Sequence, residues 1–322
     1  MAEQLADDVA PMGGEVAPVS VVIAAYNAAP TLGAALASAL GQVPRPAQVI
    51  VVDDGSQDGT ARVAAAFPEV LVVRQRNQGP SAARNAGIRE SNQPWVAFLD
   101  ADDLWLPGKL ARQLAALREH PHAVLLAGDW VRTLSEDGIG AVADHGAEEA
   151  PGQRALSRVV GYRDVLVLNR FQTSTVLVRA EVLGRVGGFD PALDGAEDWD
   201  LWLRCARHGT VVKLDAPLAV YRDEPGGYSK DLGRLYARML TMLGREGRGG
   251  VLPAAAFAQV LTWHYLRFAV AFALAGQRTS ARTVLTELRA AGLARHVPAA
   301  TARYLAPFLG GRALRRLRGR AL

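Results

Sequence analysis

The chain has 322 residues, of which 50% are hydrophobic and 21% charged, an ordinary globular composition that is long enough for one large domain or for one domain with an appendage. A formal net charge of +4, with no basic stripe interleaved with aromatics, argues against a nucleic-acid binder. The single cysteine, Cys205, rules out a disulfide framework within the chain, fits a reducing compartment and reads as a small apolar core residue.

In chain order, residues 1–17 read as a disordered lead. They carry Glu3, Asp7, Asp8 and Glu15, with no basic start and no continuous apolar run, so they do not read as a signal peptide. From Val19 short apolar runs alternate with helical segments. Ser20–Ala25, Gln48–Val52, Val70–Arg74 and Trp95–Leu99 are predicted strands, and the first two are the β-branched runs expected of strands buried on both faces. Helices are predicted over Thr31–Leu40, Gly59–Phe67 and Pro80–Glu90, the last with proline in its first turn. This alternation predicts an α/β fold, with a mostly parallel central sheet and helices on both faces.

Further along, Pro107–Glu119 is a predicted amphipathic helix with Leu110, Leu114 and Leu117 on one stripe. Val124–Leu126 and Phe171–Val178 read as strands, and Ser135–Gln153 as a flexible insertion. Glu197–His208 is a predicted helix closed by Gly209. Val211–Leu214 and Leu218–Tyr221 read as two final short strands. Beyond about residue 230 the composition turns Ala-, Leu- and Arg-rich and wholly helical in pattern, so the predicted division is 1–17, 18–230 and 231–322. No stretch reaches the ~18 uninterrupted apolar residues of a spanning helix. The nearest, Val251–Ala275, is broken by His264 and Arg267 and reads as a buried pair of helices. A cytoplasmic chain, or one peripheral to the inner face of the membrane, is the expectation. Arginine and leucine over 312–320 suggest a membrane-surface helix, and a solvated helix end reads equally well.

The chemistry-bearing residues follow strands, where open parallel sheets build their ligand crevice. Ala25, Tyr26 and Asn27 follow the first strand. Asp53 and Asp54, with Gly55 and Ser56, follow the second; they read as a turn or as carboxylates that accept hydrogen bonds from a base or ribose. Asp100, Asp102 and Asp103 follow the fourth. Three carboxylates so close repel one another unless a cation is present. Their oxygens suit Mg²⁺ or Mn²⁺ completed by diphosphate oxygens, and the alternative is a solvated helix cap. Glu197 and Asp198 open a helix, whose N-terminus favours negative charge, and either one could serve as a general base.

The segments SVVIAAYN (20–27), VIVVDDGSQDGT (49–60), NQGPSAARNAGI (77–88), FLDADD (98–103) and GFDPALDGAEDWDLWLRCARHG (188–209) closely resemble the family 2 glycosyltransferases over about residues 19–222. The resemblance implies a GT-A nucleotide-sugar-binding fold, plus a C-terminal helical extension. It also implies an inverting transfer from a nucleotide diphosphate sugar, UDP-linked by family frequency, to a carbohydrate or lipid-linked acceptor. Ala25 and Tyr26, with Asn27, match the nucleoside contact. Asp54 matches the base reader, with Asp53 beside it. Arg84 and Asn85 match the segment lining the nucleotide pocket. Asp100 and Asp102 match the DxD acids, Asp102 as ligand of Mn²⁺ or Mg²⁺. Asp198 matches the catalytic base, with Glu197 its neighbour. Many relatives carry a histidine after the strand ending here at Tyr221–Arg222; this chain has Asp223 and Glu224. Arg222 and Lys230 are then candidates to neutralise the leaving diphosphate. Two other readings are a non-catalytic nucleotide-sugar-binding or scaffold protein, and a sugar nucleotidyltransferase. The intact acids speak against the first, and the lack of a Gly-rich loop after the first strand against the second.

Overall fold

A computed structural model describes residues 16–133, 155–222 and 231–306. The chain forms two compact units, Met1–Val165 with Asn169–Gly227, and Leu166–Leu168 with Tyr228–Leu322. It begins with β1 (Val16–Ala25), α1 (Leu32–Leu40), β2 (Arg45–Asp53), α2 (Thr60–Ala65), β3 (Val70–Arg74), α3 (Pro80–Glu90) and β4 (Trp95–Asp100). Then come β5 (Leu104–Trp105), α4 (Lys109–Glu119), β6 (Ala123–Thr133), β7 (Ser157–Val160) and α5 (Tyr162–Val167). β8 (Leu177–Arg179), α6 (Ala180–Val186), α7 (Glu197–Cys205) and β9 (Thr210–Arg222) follow.

Among the described residues nine strands form one mixed sheet in the order β3-β2-β1-β4-β8-β6-β9-β5, with β7 also on β9. Strands β3, β2, β1 and β4 are mutually parallel. β8 runs antiparallel to both of its neighbours, and β6 is parallel to β9. Successive side chains point to opposite faces and both faces are covered, which explains why β1 and β4 are mostly apolar. Val19, Val21 and Ile23, with Trp95, Ala97 and Leu99, join the core that Leu32 and Leu36 of α1 and Leu110, Leu114 and Leu117 of α4 complete. Phe98 points the other way, with its ring 5.1 Å from Phe189 and 6.1 Å from Trp202 of α7. On that face α3 lies close to β1: a Cβ on Gly87 would stand 2.3 Å from Cγ1 of Val22. Only glycine permits that approach.

The second unit carries α8 (Leu232–Gly249), α9 (Ala254–Leu274), α10 (Arg278–Ala290) and α11 (Val297–Ala300). Tyr236 sits among the rings of Tyr265, Phe268 and Phe272, and its hydroxyl donates to Glu287. His264 of α9 is buried. Its Nδ1 accepts from Arg267 Nε at 3.0 Å, which leaves Nε2 as the protonated donor to the Leu166 carbonyl at 2.9 Å. Burial, then the Arg267 charge, pushes this imidazole well below the usual histidine range, so it is neutral.

Several sequence expectations differ from the structure. β1 begins at Val16, with Val16 and Ala17 opposite Arg45 and Pro46, so it starts ahead of the strand predicted from Ser20. Phe171–Val178 is not one strand. The Gln172 side chain accepts from the Ser174 amide and winds Thr173–Thr175 into a 3₁₀ turn before β8. The β-branched run disguised a polar turn. Val211–Leu214 and Leu218–Tyr221 are one strand, β9, continuous against β6 through irregularities of register. Val251–Ala275 holds one 21-residue helix, not a pair. Among the described residues no helix is long and apolar enough to cross a membrane. The insertion predicted over 135–153, residues 223, 224 and 230, and the 312–320 segment lie outside the described residues.

Candidate active site

Parallel pairing brings the strand ends level. Ala25 lies opposite Asp53, and Ala24 opposite Asp100. Tyr26, 48% exposed, and Asn27 project past this edge. Asn27 has φ of +49°, a left-handed conformation that Asn tolerates better than most residues. Its backbone N donates to Ser56 Oγ and its Oδ1 accepts from Gln57 N, each at 2.9 Å, tying the β1 and β2 loops together.

The two buried carboxylates at the end of β2 shape the neighbouring loops. Asp53 accepts from Ser56 N at 3.0 Å and from Arg74 Nε at 3.1 Å. Asp54 accepts from Gln75 Nε2 at 2.7 Å, Gln78 N at 3.0 Å and Gly79 N at 2.8 Å. Asp54 thus holds the 75–79 loop against the strand edge, just where α3 begins.

From α3, Arg84 reaches two clusters that are far apart in sequence. Nη2 donates to Asp100 Oδ1 at 2.7 Å and Nη1 to Glu197 Oε1 at 3.1 Å. Its guanidinium carbon lies 5.3 Å from the centre of the Phe189 ring. Burial disfavours its charge, but Asp100 and Glu197 outweigh that and hold it above the ordinary arginine value. Glu197 Oε2 also accepts from Gly195 N. Next to it, Asp198 Oδ1 accepts from Trp199 N at 2.6 Å and Oδ2 from Asn169 Nδ2 at 3.0 Å. Burial, then the Glu197 charge, raises the Asp198 carboxyl to about 7, against the opposing pull of Trp199 N, Arg84 and Asn169. A carboxylate poised there has the acidity of an efficient general base near neutral pH.

Asp103 is buried and is held by neutral donors: Gln172 Nε2 and Ser174 Oγ at 2.6 Å and Arg222 N at 3.0 Å. Burial first, then the charges of Asp100 and Asp102, pushes its carboxyl well above the usual range. Among the described residues no group of three or more His, Cys, Asp or Glu side chains stands ready to hold a metal ion. Two carboxylates with excess negative charge fit a hard divalent cation that shares its coordination with phosphate oxygens, the habit of Mg²⁺. The Ser174 turn is braced from α4: Lys109 Nζ, buried, bonds Gln113 Oε1 at 2.8 Å and lies 4.0 Å from the Trp105 ring centre. Gln113 and Trp105 then donate to the carbonyls of Thr175 and Ser174. Burial pushes the Lys109 ammonium well below the usual lysine range.

The structure therefore brings Arg84, Asp100 and Glu197 together, with Asp198 adjoining. Asn85 is spent differently: its Nδ2 donates to the Phe189 carbonyl and its Oδ1 accepts from Phe189 N, both at 2.8 Å. That clasp ties the Gly188–Phe189 loop to α3. Sequence reasoning missed Asn169, Gln172, Ser174, Ser81 and Lys109. Ser81 donates to Asp194. Neutral polar residues standing singly carry no spacing signal, and Lys109 in the α4 pattern looks like any solvated helix lysine.

A buried arginine thus links the acid cluster at the end of β4 to the acid pair at the start of α7. Residues 20–155 match the sequence profile described as Glycosyl transferase family 2. ExoU of Rhizobium meliloti (strain 1021), a succinoglycan biosynthesis protein, is 31% identical in an alignment of 222 positions that covers 61% of this chain and 59% of ExoU. TarS 1–349 of S. aureus, solved in complex with UDP-GlcNAc, superposes with a TM-score of 0.62 at 19% identity, covering 79% of this chain and 73% of that one. The mannosyltransferase PcManGT of Pyrobaculum calidifontis, solved with GDP-Man and Mn²⁺, gives 0.58 at 20% identity, covering 97% and 87%. Residues 20–155 thus carry the sequence profile of the family 2 glycosyltransferases, and the fold is GT-A.

Proposed function

We propose that the chain transfers a sugar from a nucleoside-diphosphate donor, UDP-linked in our reading, to an acceptor hydroxyl during synthesis of a polysaccharide or other glycoconjugate. The observation that carries this reading is Arg84, whose bonds to Asp100 and Glu197 draw the acids of β4 and α7 to one place. The biosynthetic role of ExoU supports a polysaccharide product, and the UDP-GlcNAc bound by TarS supports a UDP-linked donor.

The donor's nucleoside lies in this reading at the β1–β2 edge, where the exposed Tyr26 ring offers a stacking face beside Ala25, Asn27 and the Asp53–Asp54 pair. Asp100 and Asp102 would hold Mn²⁺ or Mg²⁺ together with the diphosphate. A divalent cation bound there supplies Lewis-acid stabilisation of the leaving group. Asp198 takes the proton of the attacking hydroxyl. The acceptor oxygen bonds to the anomeric carbon as the bond from that carbon to the phosphate oxygen breaks. The nucleoside diphosphate leaves with the electron pair, and one displacement inverts the configuration. Glu197 and Asp100, both paired with Arg84, keep that arginine in place beneath the reacting groups.

The test is a thermal-shift screen of nucleotide sugars with Mn²⁺, because a ligand that binds the folded state raises its melting temperature. The stabilising donor is then assayed for its released product and for the anomeric configuration of the transferred sugar. Nucleoside diphosphate and an inverted linkage are expected. Pyrophosphate release would mark a nucleotidyltransferase and refute the reading. A lipid-linked acceptor and peripheral membrane contact through 312–320 extend the proposal; equal liposome binding by the full chain and a version ending at 310 would remove the membrane contact.

A further inference from the structure

Asn169 stands in the loop after α5, close to the start of α7, and its planar amide is used at both ends. Oδ1 accepts from Phe171 N at 3.1 Å, and Nδ2 donates to Asp198 Oδ2 at 3.0 Å. The backbone N–H of Phe171 is a donor only, so it settles which way the amide points: the oxygen must face Phe171 and the NH₂ must face Asp198. Asp198 Oδ1 is meanwhile held by Trp199 N at 2.6 Å. Both carboxylate oxygens are therefore pinned by donors on different elements, one by its own helix and one by this loop. The Trp199 indole strengthens the frame, donating to the Val165 carbonyl at 2.7 Å.

We propose that Asn169 is a positioning residue for the transfer: it fixes the rotation of the Asp198 carboxylate and favours its proton-accepting form. The inference rests on the reading of Asp198 as the base. Among side chains of this size only asparagine offers an acceptor to Phe171 and a neutral donor to Asp198 at once. Aspartate would still accept from Phe171 but would set a second negative charge beside the base. The charged groups acting on Asp198 are Glu197 on its own helix and Arg84 from α3. Glu197 opposes ionisation and Arg84 favours it, so a neutral donor at Asn169 favours the ionised form without adding charge.

The experiment compares the pH profile of kcat for the full-length wild type, Asn169→Asp and Asn169→Ala, alongside a ¹³C NMR titration of Asp198 in each. Asn169→Asp keeps the loop bond but adds a like charge beside Asp198, so the neutral Asn169→Ala decides between the roles: a purely structural role leaves its acidic limb where it is. In Asn169→Asp the proposal expects the acidic limb, and the NMR midpoint of Asp198, to move up by about one pH unit or more, the usual effect of a close like charge. Asn169→Ala moves both in the same direction by less. Unmoved limbs and midpoints, with Asp198→Asn inactive, would overturn the positioning role while the base assignment stands. An active Asp198→Asn would overturn the base assignment, and the NMR midpoints would then decide the Asn169–Asp198 contact by themselves.

Discussion

The guanidinium of Arg84 donates to Asp100 Oδ1 over 2.7 Å, joining α3 to the acid that ends β4. The same group reaches Glu197 at 3.1 Å. One side chain thereby carries the electrostatic balance of the site. The Arg84 side chain is only 10% exposed and its two partners 25% and 12%. Removing the cation leaves two largely buried carboxylates facing each other without compensation.

Arg84→Ala is therefore expected to lower the unfolding free energy by roughly 3–5 kcal/mol, the cost typical of breaking a buried ion pair from one side. Urea denaturation at pH 7.5 reads this directly. Arg84→Lys keeps the charge but cannot address both carboxylates with a planar fork, so it falls between the two. A stability change below about 1 kcal/mol for Arg84→Ala would show that solvent reaches the pair freely.

The Asn85 clasp makes a different prediction. Asn85→Ala leaves the N–H and C=O of Phe189 unpartnered and is expected to cost roughly 1–3 kcal/mol. Gly188 sits opposite with φ of +71°, and a Cβ there would stand 2.4 Å from Asn85 Oδ1. Gly188→Ala thus pairs a disfavoured backbone conformation with a clash and destabilises at least as much as Asn85→Ala. Thermal unfolding of both variants and of the double variant checks this. The two effects share one contact, so they should add to less than their sum.

Stability against pH tests the environment of Asp198. Its folded carboxyl titrates at about 7, above the unfolded value near 3.8. The fold therefore binds the proton more tightly than the unfolded chain does. This stabilisation is complete below about pH 4 and is lost as pH rises through about 7. Asp198→Asn removes the titration. Its melting temperature should match wild type near pH 4 and exceed it by a growing margin up to pH 8. A constant difference across that range would place Asp198 in ordinary solvent.

How much of this could be read in the sequence varies with the kind of signal. Runs such as Ser20–Ala25 and Gln48–Val52 announced strands because burial on both faces demands continuous apolar residues. Phe171–Val178 misled, since Gln172 and Ser174 turn their side chains back on the backbone and onto Asp103. β7, α5 and α6 are too short for periodicity to reveal. At the site, acids clustered at strand ends and a helix start were legible through their number and place. Their convergence on Arg84 was not, because 113 positions separate Arg84 from Glu197. Asn85 kept its place beside Arg84, yet its amide serves the Phe189 backbone.

The central claim is that Asp198 accepts the proton of the attacking hydroxyl. Its most direct measurement sets two numbers for Asp198→Asn beside wild type: donor affinity by calorimetry and turnover by nucleoside-diphosphate release in the presence of acceptor. Affinity within a factor of about two, with turnover down ~10²-fold or more, is the result expected for a lost general base. Turnover close to wild type at equal affinity would contradict the account.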